Sequence, residues 1–362
     1  MRIMVLTAKL GTSGSIAGSS FPVIEVFKRL GKKHKVFLLL PEPFFIENTK
    51  TLIINQKRFL PLAKIHAGNR ELHMRKMQNV LPDTTLPKVD VVVCSYYITW
   101  KLAKRIARSQ KAKLAVIYRM HNRMKQEVND ERPYENGIRD KIEMNMAHES
   151  DLIICQSEFE KKFIMDKYGA PAQKIELVPN GVDCHEVRNE REGVLFASRL
   201  EKSKGVNDFV YAARKMKKVR FLACNGGALK ERLLKLRIPN LFFMGWTEHE
   251  FMNYIYSRAK ILFFPSRVET FGNVPIEAMA CGTPVVGYKG VGEIHIKDGY
   301  NGFIAKNKTD AVKKIKLLYA NKKLWKKFSA NAKKYSRKFT WDESARLWGV
   351  ALFKLINRRN NP

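Results

Sequence analysis

Short apolar runs alternate with helix-length amphipathic segments along this chain, and the alternation begins again near its middle. The first series of apolar runs covers 2–7, 35–40, 89–94, 114–118, 151–156 and 175–178. The second series covers 193–197, 219–224, 241–244, 261–264 and 284–288. Strands that alternate with helices are typical of βαβ units on parallel sheets. The pattern therefore predicts an α/β chain built from two similar, doubly wound halves.

A polar stretch at 184–192 separates the two series and marks the predicted hinge. A chain of 362 residues is long enough for two domains that each bury a core. We expect an N-terminal domain at 1–185 and a C-terminal domain at 186–340. A final helix within 341–362 is expected to pack back toward the N-terminal domain.

Cysteine usage and hydropathy indicate the compartment. The five cysteines are dispersed, with no Cys-x-x-Cys pair and no histidine spacing that would build a zinc site. Such cysteines are typical of buried free thiols in a reducing compartment. The first apolar run meets Gly11 too soon for a signal peptide, and nowhere do 18 apolar residues occur together. These features predict a cytoplasmic protein without a metal site, and leave contact with the inner face of a membrane open.

Positive charge is the outlier of the composition. The chain carries 67 Lys+Arg against 34 Asp+Glu, a formal net charge of +33 at pH 7. This balance favours anionic partners such as nucleic acid, acidic lipid headgroups or phosphorylated ligands, and it says nothing about the fold. The cations are densest in 306–362 and also line 28–35 and 101–108. A solvated basic surface is the alternative to contact with an anionic membrane.

Ligands of doubly wound sheets bind at the carboxyl ends of strands, so the loops that follow the predicted strands are the candidate sites. The first loop, 9–18, contains Gly11, Gly14 and Gly18. Glycines let backbone N–H groups approach a ligand, and the N-terminus of the next helix favours a phosphate. The spacing matches neither Gly-x-Gly-x-x-Gly nor a Gly-Lys-Ser/Thr loop. A plain turn is therefore the alternative.

The second loop, 197–207, places Arg199 and Lys204 between the restarted strand and a helix that Asn207 would cap. An arginine fork and a lysine point charge beside a helix N-terminus would hold a diphosphate. In a chain this basic, ordinary surface lysines on a loop are the alternative.

The third loop, within 264–284, contains Glu269 and Glu277 with seven residues between them, and Pro275 at the expected first helical position. This spacing predicts Glu277 in the first helical turn and Glu269 in the loop ahead, both pointing into one crevice. The free amides of 271–274 would face the ligand, and a carboxylate there can accept hydrogen bonds from the vicinal hydroxyls of a ribose. Attraction to the helix macrodipole would explain Glu277 but not Glu269.

This third segment resembles the Glu-x7-Glu signature of retaining glycosyltransferases of the GT-B fold, the large family 4 group, which transfer sugar from a nucleotide-sugar donor. Four other segments of this chain resemble further motifs of that family and follow one another in the family's order. They are His34-Lys35-Val36, Val178-Pro179-Asn180-Gly181-Val182-Asp183, Gly290-Val291-Gly292-Glu293-Ile294 and Asp298-Gly299-Tyr300-Asn301-Gly302. The resemblance covers nearly the whole chain. It implies two Rossmann-like domains that face each other across a cleft.

The resemblance also implies roles for single residues. Arg199 and Lys204 align with the basic pair that holds the donor diphosphate, and Glu277 aligns with the carboxylate that binds the nucleotide ribose. Glu269 aligns with the glutamate beside the donor sugar, and His121 with a histidine that reaches this sugar. The catalytic set is then Glu269, His121, Arg199 and Lys204. Further donor contacts are expected from Gly14 and from the backbone of Phe271, Gly272, Asn273 and Val274.

The implied activity is that of a retaining hexosyltransferase, which moves a sugar from a UDP- or GDP-linked donor to a glycan or lipid-linked acceptor. It needs no metal and no cofactor besides the nucleotide-sugar as co-substrate. Ser198-Arg199-Leu200 and Cys224-Asn225-Gly226-Gly227 depart from the family's usual Gly-Arg-Leu and Gly-x-Gly. Recognition of the base near 225–227 and 245–246, and of the acceptor, is therefore open. A same-fold nucleotide-sugar epimerase or phosphorylase is the alternative, and a nucleic-acid-binding protein a more distant one, because the chain has no aromatic-basic recognition motif.

Overall fold

The computed structural model describes residues 1–7, 21–40, 46–53, 85–118, 123–124, 136–183 and 190–358. The chain divides into two compact units. The first unit comprises the described residues of 1–124, 131–181 and 341–362, and the second comprises those of 182–340.

A seven-stranded parallel sheet forms the centre of the described first unit. Its strands are β1 (Arg2–Leu6), β2 (Lys35–Leu40), β3 (Lys50–Ile53), β4 (Val91–Cys94), β5 (Lys113–Ile117), β6 (Leu152–Cys155) and β7 (Ile175–Leu177), in the spatial order β3-β2-β1-β4-β5-β6-β7. The helices that follow these strands are α1 (Phe21–Gly31), α2 (Trp100–Gln110), α3 (Asn136–Glu149) and α4 (Glu158–Tyr168). Strands covered on both faces need continuous apolar runs, as the four buried residues of β4 show.

The described part of the second unit has a six-stranded parallel sheet. Its strands are β8 (Glu192–Ala197), β9 (Phe221–Cys224), β10 (Leu241–Gly245), β11 (Ala259–Phe264), β12 (Val285–Tyr288) and β13 (Gly302–Ala305), in the order β10-β9-β8-β11-β12-β13. Its helices are α5 (Val206–Lys215), α6 (Lys230–Leu234), α7 (His249–Arg258), α8 (Asn273–Ala280), α9 (Lys308–Ala320) and α10 (Lys322–Ser336). The two sheets confirm the predicted α/β class, and each predicted strand lies within two residues of an observed one.

The last helix, α11 (Trp341–Asn357), belongs to the first unit although it follows the second unit in the chain. Trp348 contacts Phe27 of α1 edge to face, with ring centroids 5.2 Å apart. Asp342 accepts a hydrogen bond of 2.9 Å from Nε of Arg29. Both tryptophans of this helix, Trp341 and Trp348, lie in the core cluster of the first sheet.

The described cysteines are buried, as the sequence predicts. Cys94, Cys155, Cys224 and Cys281 are buried free thiols, while Cys184 lies outside the described residues. Within the described ranges, the structure contains no helix with both the length and the apolar character needed to cross a membrane.

The loops after β8 and β11 approach each other closely at the carboxyl edge of the second sheet. Gly205 has a φ of +74°, and a Cβ built on it would lie only 2.1 Å from the carbonyl oxygen of Pro265. The backbone N–H of Arg267 donates to the carbonyl of Ser203 at 2.9 Å. Strand order reverses between β8 and β11, and open α/β sheets bind ligands at such a point. Gly205 therefore sets the spacing of the two loops at the ligand-binding edge.

Replacing Gly205 with alanine should destabilise the protein more than Gly299→Ala does. Gly299 has nearly the same φ, +73°, but a Cβ there would meet no atom within 4 Å. The left-handed conformation costs alanine about 1–2 kcal/mol at each position, and only at Gly205 must the methyl group also displace a backbone carbonyl. Urea unfolding should show the larger loss of unfolding free energy for Gly205→Ala. Equal losses would contradict the close approach.

Candidate functional site

A buried ion pair connects the two loops at the carboxyl edge of the second sheet. Nζ of Lys204 lies 2.7 Å from Oε1 of Glu269, and these side chains are only 9% and 15% exposed. Lys204 also donates to the carbonyl of Val268 at 2.9 Å, and Ser266 Oγ donates to the same Glu269 oxygen at 3.0 Å. Charges this buried are retained only with partners. The structure thus brings together Lys204 and Glu269, which come from separate loops of the sequence.

Helix α8 begins directly after this pair. Gly272 is its N-cap with a φ of +78°, and a Cβ built on Gly272 would lie 3.8 Å from Cγ of Glu269. The helix starts at Asn273, so the expected start at Pro275 was wrong. Pro275 occupies the third helical position, where the missing N–H costs no intrahelical hydrogen bond. Glu277 consequently lies in the second turn rather than the first.

The other predicted cap was also misplaced. Helix α5 begins at Val206 with Gly205 as its N-cap, so Asn207 lies within the first turn and does not cap it. Both errors have the same physical cause, because a glycine in the left-handed conformation lets the chain enter a helix without a side-chain cap.

Glu277 is held by a tyrosine that no sequence motif indicated. The hydroxyl of Tyr256 on α7 donates to Oε2 of Glu277 at 2.8 Å. Burial, followed by the charge of Glu277, raises the pKa of Tyr256 well above its usual value, so the hydroxyl remains a donor. Among the described residues, Oε1 of Glu277 accepts no hydrogen bond. The carboxylate is therefore oriented by one oxygen while the other stays available to a ligand.

Arg199 forms a separate ion pair. One of its guanidinium nitrogens lies 2.6 Å from Oε1 of Glu201, with the arginine side chain 47% exposed. The guanidinium group is therefore partly open to solvent, although its partner Glu201 is only 9% exposed. No hydrogen bond or ion pair within the described ranges links Arg199 to Lys204, Glu269 or Glu277. That Arg199 and Lys204 together hold the donor diphosphate therefore stays a prediction.

The loop after β9 is hydrogen-bonded both to the Arg199 loop and to the end of β10. The backbone N–H of Leu200 donates to Gly226 at 2.9 Å, and that of Asn225 donates to Gly245 at 2.6 Å. A Cβ on Gly227 would lie 2.5 Å from the backbone nitrogen of Leu200, so this approach requires glycine. The segments expected to read a base thus lie beside the loop expected to bind its diphosphate.

An aromatic cluster packs against the loop that contains Glu269 and Phe271. The ring of Phe271 is 2% exposed and contacts His295 edge to face, with centroids 4.4 Å apart. Phe339 lies against both rings, at 5.8 Å and 5.4 Å. Phe271 therefore anchors its loop in the core, which leaves only its backbone for a ligand. Burial lowers the pKa of His295 to about 3, with the backbone of Phe271 acting in the opposite direction, so the imidazole is neutral at neutral pH.

Two predicted site residues, Gly14 and His121, lie outside the described residues. The same holds for the rest of the first glycine-containing loop and for 184–189 of the predicted hinge.

The sequence matches one family model in each half. The model described as Glycosyltransferase Family 4 matches residues 18–186, and the model described as Glycosyl transferases group 1 matches residues 184–335. An uncharacterised glycosyltransferase of Methanocaldococcus jannaschii is 31% identical over 204 residues, which are 54% of this chain and 57% of that protein. The chain spans a little over half the length of the curated relatives it matches.

Solved structures share the fold over nearly the full length. Sucrose-phosphate synthase from Thermosynechococcus elongatus has a TM-score of 0.85 at 18% identity, with 99% of this chain and 100% of that chain covered. Anabaena HepE in complex with UDP-glucose has a TM-score of 0.74 at 16% identity, with 98% and 100% covered. At these identities the likeness concerns the fold, which is that of two Rossmann-like parallel-sheet domains.

Replacing His295 with leucine should remove part of the loss of stability in acid. The native imidazole stays neutral down to about pH 3, whereas in the unfolded chain it takes up a proton near its ordinary pKa of 6.5. In that window the unfolded state binds more protons, so the unfolding free energy falls as pH drops, by about 1.4 kcal/mol per unit for one group. Chemical denaturation from neutral pH to about pH 5 should show a shallower slope for His295→Leu. Parallel slopes would contradict this assignment.

Proposed function

We propose that this chain, which belongs to the group 1 glycosyltransferases of the GT-B fold, transfers a sugar from a nucleotide-diphosphate sugar to a glycan or lipid-linked acceptor. We further propose that the transferred sugar retains its anomeric configuration. The observation that carries the proposal is the buried Lys204–Glu269 pair at the reversal of strand order in the second sheet. It places a fixed cation and a carboxylate at the start of helix α8, where a phosphate and a sugar would meet.

Departure of the diphosphate is the step that this arrangement assists. As the bond between the anomeric carbon and the phosphate oxygen breaks, negative charge grows on the leaving group, and preorganised positive groups lower the barrier. Lys204 is held ready by Val268 and Glu269, and a bound diphosphate would accept its hydrogen bonds. The positive end of the α8 helix dipole favours the same negative charge. Arg199, half exposed beside Glu201, is proposed to bind the same diphosphate.

Retention follows from attack on the same face. The acceptor hydroxyl bonds to the anomeric carbon as the phosphate oxygen leaves, and that oxygen accepts the hydroxyl proton. No side chain of this chain then needs to act as a covalent nucleophile. Glu269, held by Lys204 and Ser266, would instead orient the hydroxyls of the donor sugar, which is also the task proposed for His121.

The ribose of the donor would be bound by Glu277. Tyr256 fixes one carboxylate oxygen and leaves Oε1 for a ribose hydroxyl. We favour a UDP-linked sugar over a GDP-linked one, because the structural neighbour HepE is solved with UDP-glucose. Since Lys204 and the α8 N-terminus already supply positive charge, we propose that transfer needs no metal ion.

We also propose a cytoplasmic protein that contacts an anionic membrane at its periphery. Helix α10 carries exposed lysines on successive turns and has no acidic residue, so its like charges repel one another. Each lysine near an anionic surface contributes roughly 1 kcal/mol of binding. The exposed members are Lys322, Lys323, Lys326, Lys327 and Lys334.

Lys204→Ala should lower turnover of the donor about a hundredfold or more, because the leaving diphosphate loses its fixed cation. Lys202→Ala is the matched control, since Lys202 lies in the same short 3-10 turn but is exposed. The measurement is release of UDP from a UDP-sugar, with EDTA present to remove metals. Similar rates for Lys204→Ala and Lys202→Ala would contradict the proposed role, and loss of the parent's rate in EDTA would contradict metal independence.

Tyr256→Phe should weaken donor binding about two- to tenfold, the value of one hydrogen bond to an oriented carboxylate. Glu277→Ala should weaken it further. Tyr254→Phe, an exposed tyrosine on the same helix, is the control and should bind like the parent. Thermal protection by a panel of UDP- and GDP-sugars measures the affinities and identifies the base. If Glu277→Ala retained the parent's affinity, the ribose assignment would be wrong.

A further inference from the structure

Exposed apolar side chains gather on one side of the second unit. Phe242 and Met244 lie on β10, and Phe251 and Tyr254 lie on α7, all between 44% and 62% exposed. We call these four residues the apolar face. Single exposed apolar residues are ordinary on protein surfaces, but a contiguous group marks an interaction site.

The fold explains why these four side chains are exposed to solvent. Strand β10 is the edge of the sheet, and its alternate residue Phe243 packs into one core while Phe242 and Met244 point to the other side. The crossover helix α6 has only five residues and places Leu233 in that same first core. Among the described residues, the helix residues that line a cavity beside Met244 of β10 belong to α7.

This cavity joins the strand and helix parts of the apolar face. It has a volume of about 290 Å³ and lies between β8, β9, β10 and α7. Its apolar lining includes Val194, Leu195, Leu222, Met244 and Ile255, and its charged lining consists of Arg220, Arg258 and Glu192. Apolar walls with a net positive charge suit a molecule that is itself apolar with an anionic end.

Cations border the apolar face. The guanidinium group of Arg220 lies 4.9 Å from the ring centroid of Phe242, and that of Arg258 lies 5.6 Å from that of Tyr254. Glu192 pairs with Arg220 at 3.1 Å, and because both side chains are more than half exposed the pair is weak and Arg220 can exchange Glu192 for another anion. Arg220 and Arg258 both line the cavity, and we call these two arginines the cationic border.

The charges decide between the possible occupants. A second copy of a chain with a net charge of +33 would bring a like-charged border against this one. Single-stranded nucleic acid would need several free rings on which successive bases stack, yet a guanidinium group lies over two of the three rings of the face, those of Phe242 and Tyr254. An anionic bilayer satisfies both parts, since phosphates pair with arginine and lysine while aromatic side chains lie at the headgroup boundary.

We propose that the apolar face and its cationic border form the surface on which this protein rests on an anionic lipid bilayer. The inference rests on the membrane contact proposed above and assigns it a surface. Phe251 and Tyr254 enter the boundary between headgroups and acyl chains, the cavity takes up an acyl segment, and Arg220 and Arg258 bind lipid phosphates. Contact of this kind has an apolar component that salt does not screen.

Vesicle sedimentation tests the surface directly. The parent, Phe251→Gln/Tyr254→Gln and the control Phe353→Gln are compared on phosphatidylcholine vesicles with and without phosphatidylglycerol, at low and high salt. Phe353 is 61% exposed on α11, so the control removes an equally exposed aromatic residue from another helix. We expect the double variant to bind anionic vesicles about tenfold more weakly, the control to bind like the parent, and Phe251→Trp to retain binding.

Several outcomes would overturn the proposal. If the double variant bound like the parent and high salt abolished all binding, lysines alone would make the contact. If no protein bound anionic vesicles, the membrane contact itself would fall. The parent could instead bind single-stranded RNA, or form a dimer seen by light scattering, without binding vesicles. If the double variant then lost that RNA binding or that dimer, the face would be assigned to another partner. Thermal protection by UDP, measured on the same proteins, reports on the donor site separately and shows that the variants are folded.

Discussion

A buried lysine needs a partner, and Lys204 finds it 65 residues further along the chain in Glu269. The pair forms only because β8 and β11 are parallel neighbours whose carboxyl ends meet. It also requires Gly205, since any larger residue would strike the carbonyl of Pro265 and separate the two loops. The ion pair thus depends both on the strand order of the sheet and on Gly205. The start of α8 and the orientation of Glu269 depend on this pair.

Helix α7 connects this site to the surface on the other side of the unit. Consecutive residues are rotated by about 100° around a helix, so Tyr254 and Tyr256 point in nearly opposite directions. Tyr256 is buried and orients Glu277, whereas Tyr254 is half exposed and stacks with Arg258. Two residues of one type, two positions apart, therefore have unrelated environments and unrelated proposed roles.

Most strands were predictable because doubly covered strands must be continuous apolar runs. The exceptions are β3 (Lys50–Ile53) and β13 (Gly302–Ala305). Both are four-residue strands at the sheet edges, too short to give an apolar run that stands out in the sequence. The predicted helix starts at Asn207 and Pro275 were wrong, because in both cases the helix begins after a left-handed glycine that serves as its N-cap. Lys204, Glu269 and Glu277 were found by their loops, whereas Tyr256 and His295 carried no signal, since a buried tyrosine or histidine is recognised only by what surrounds it.

The sequence by itself determined the α/β class, the restart of the strand series after the polar stretch, and the loops in which cations and carboxylates follow strands. These are local properties, set by hydrophobic periodicity and by the residues that end each run. Only the tertiary structure decided that Lys204 pairs with Glu269, that Tyr256 holds Glu277, and that Phe242 and Met244 of the edge strand β10 stay exposed. Each of these depends on which distant segments become neighbours, and strand order in a sheet is not written in any single stretch of the chain.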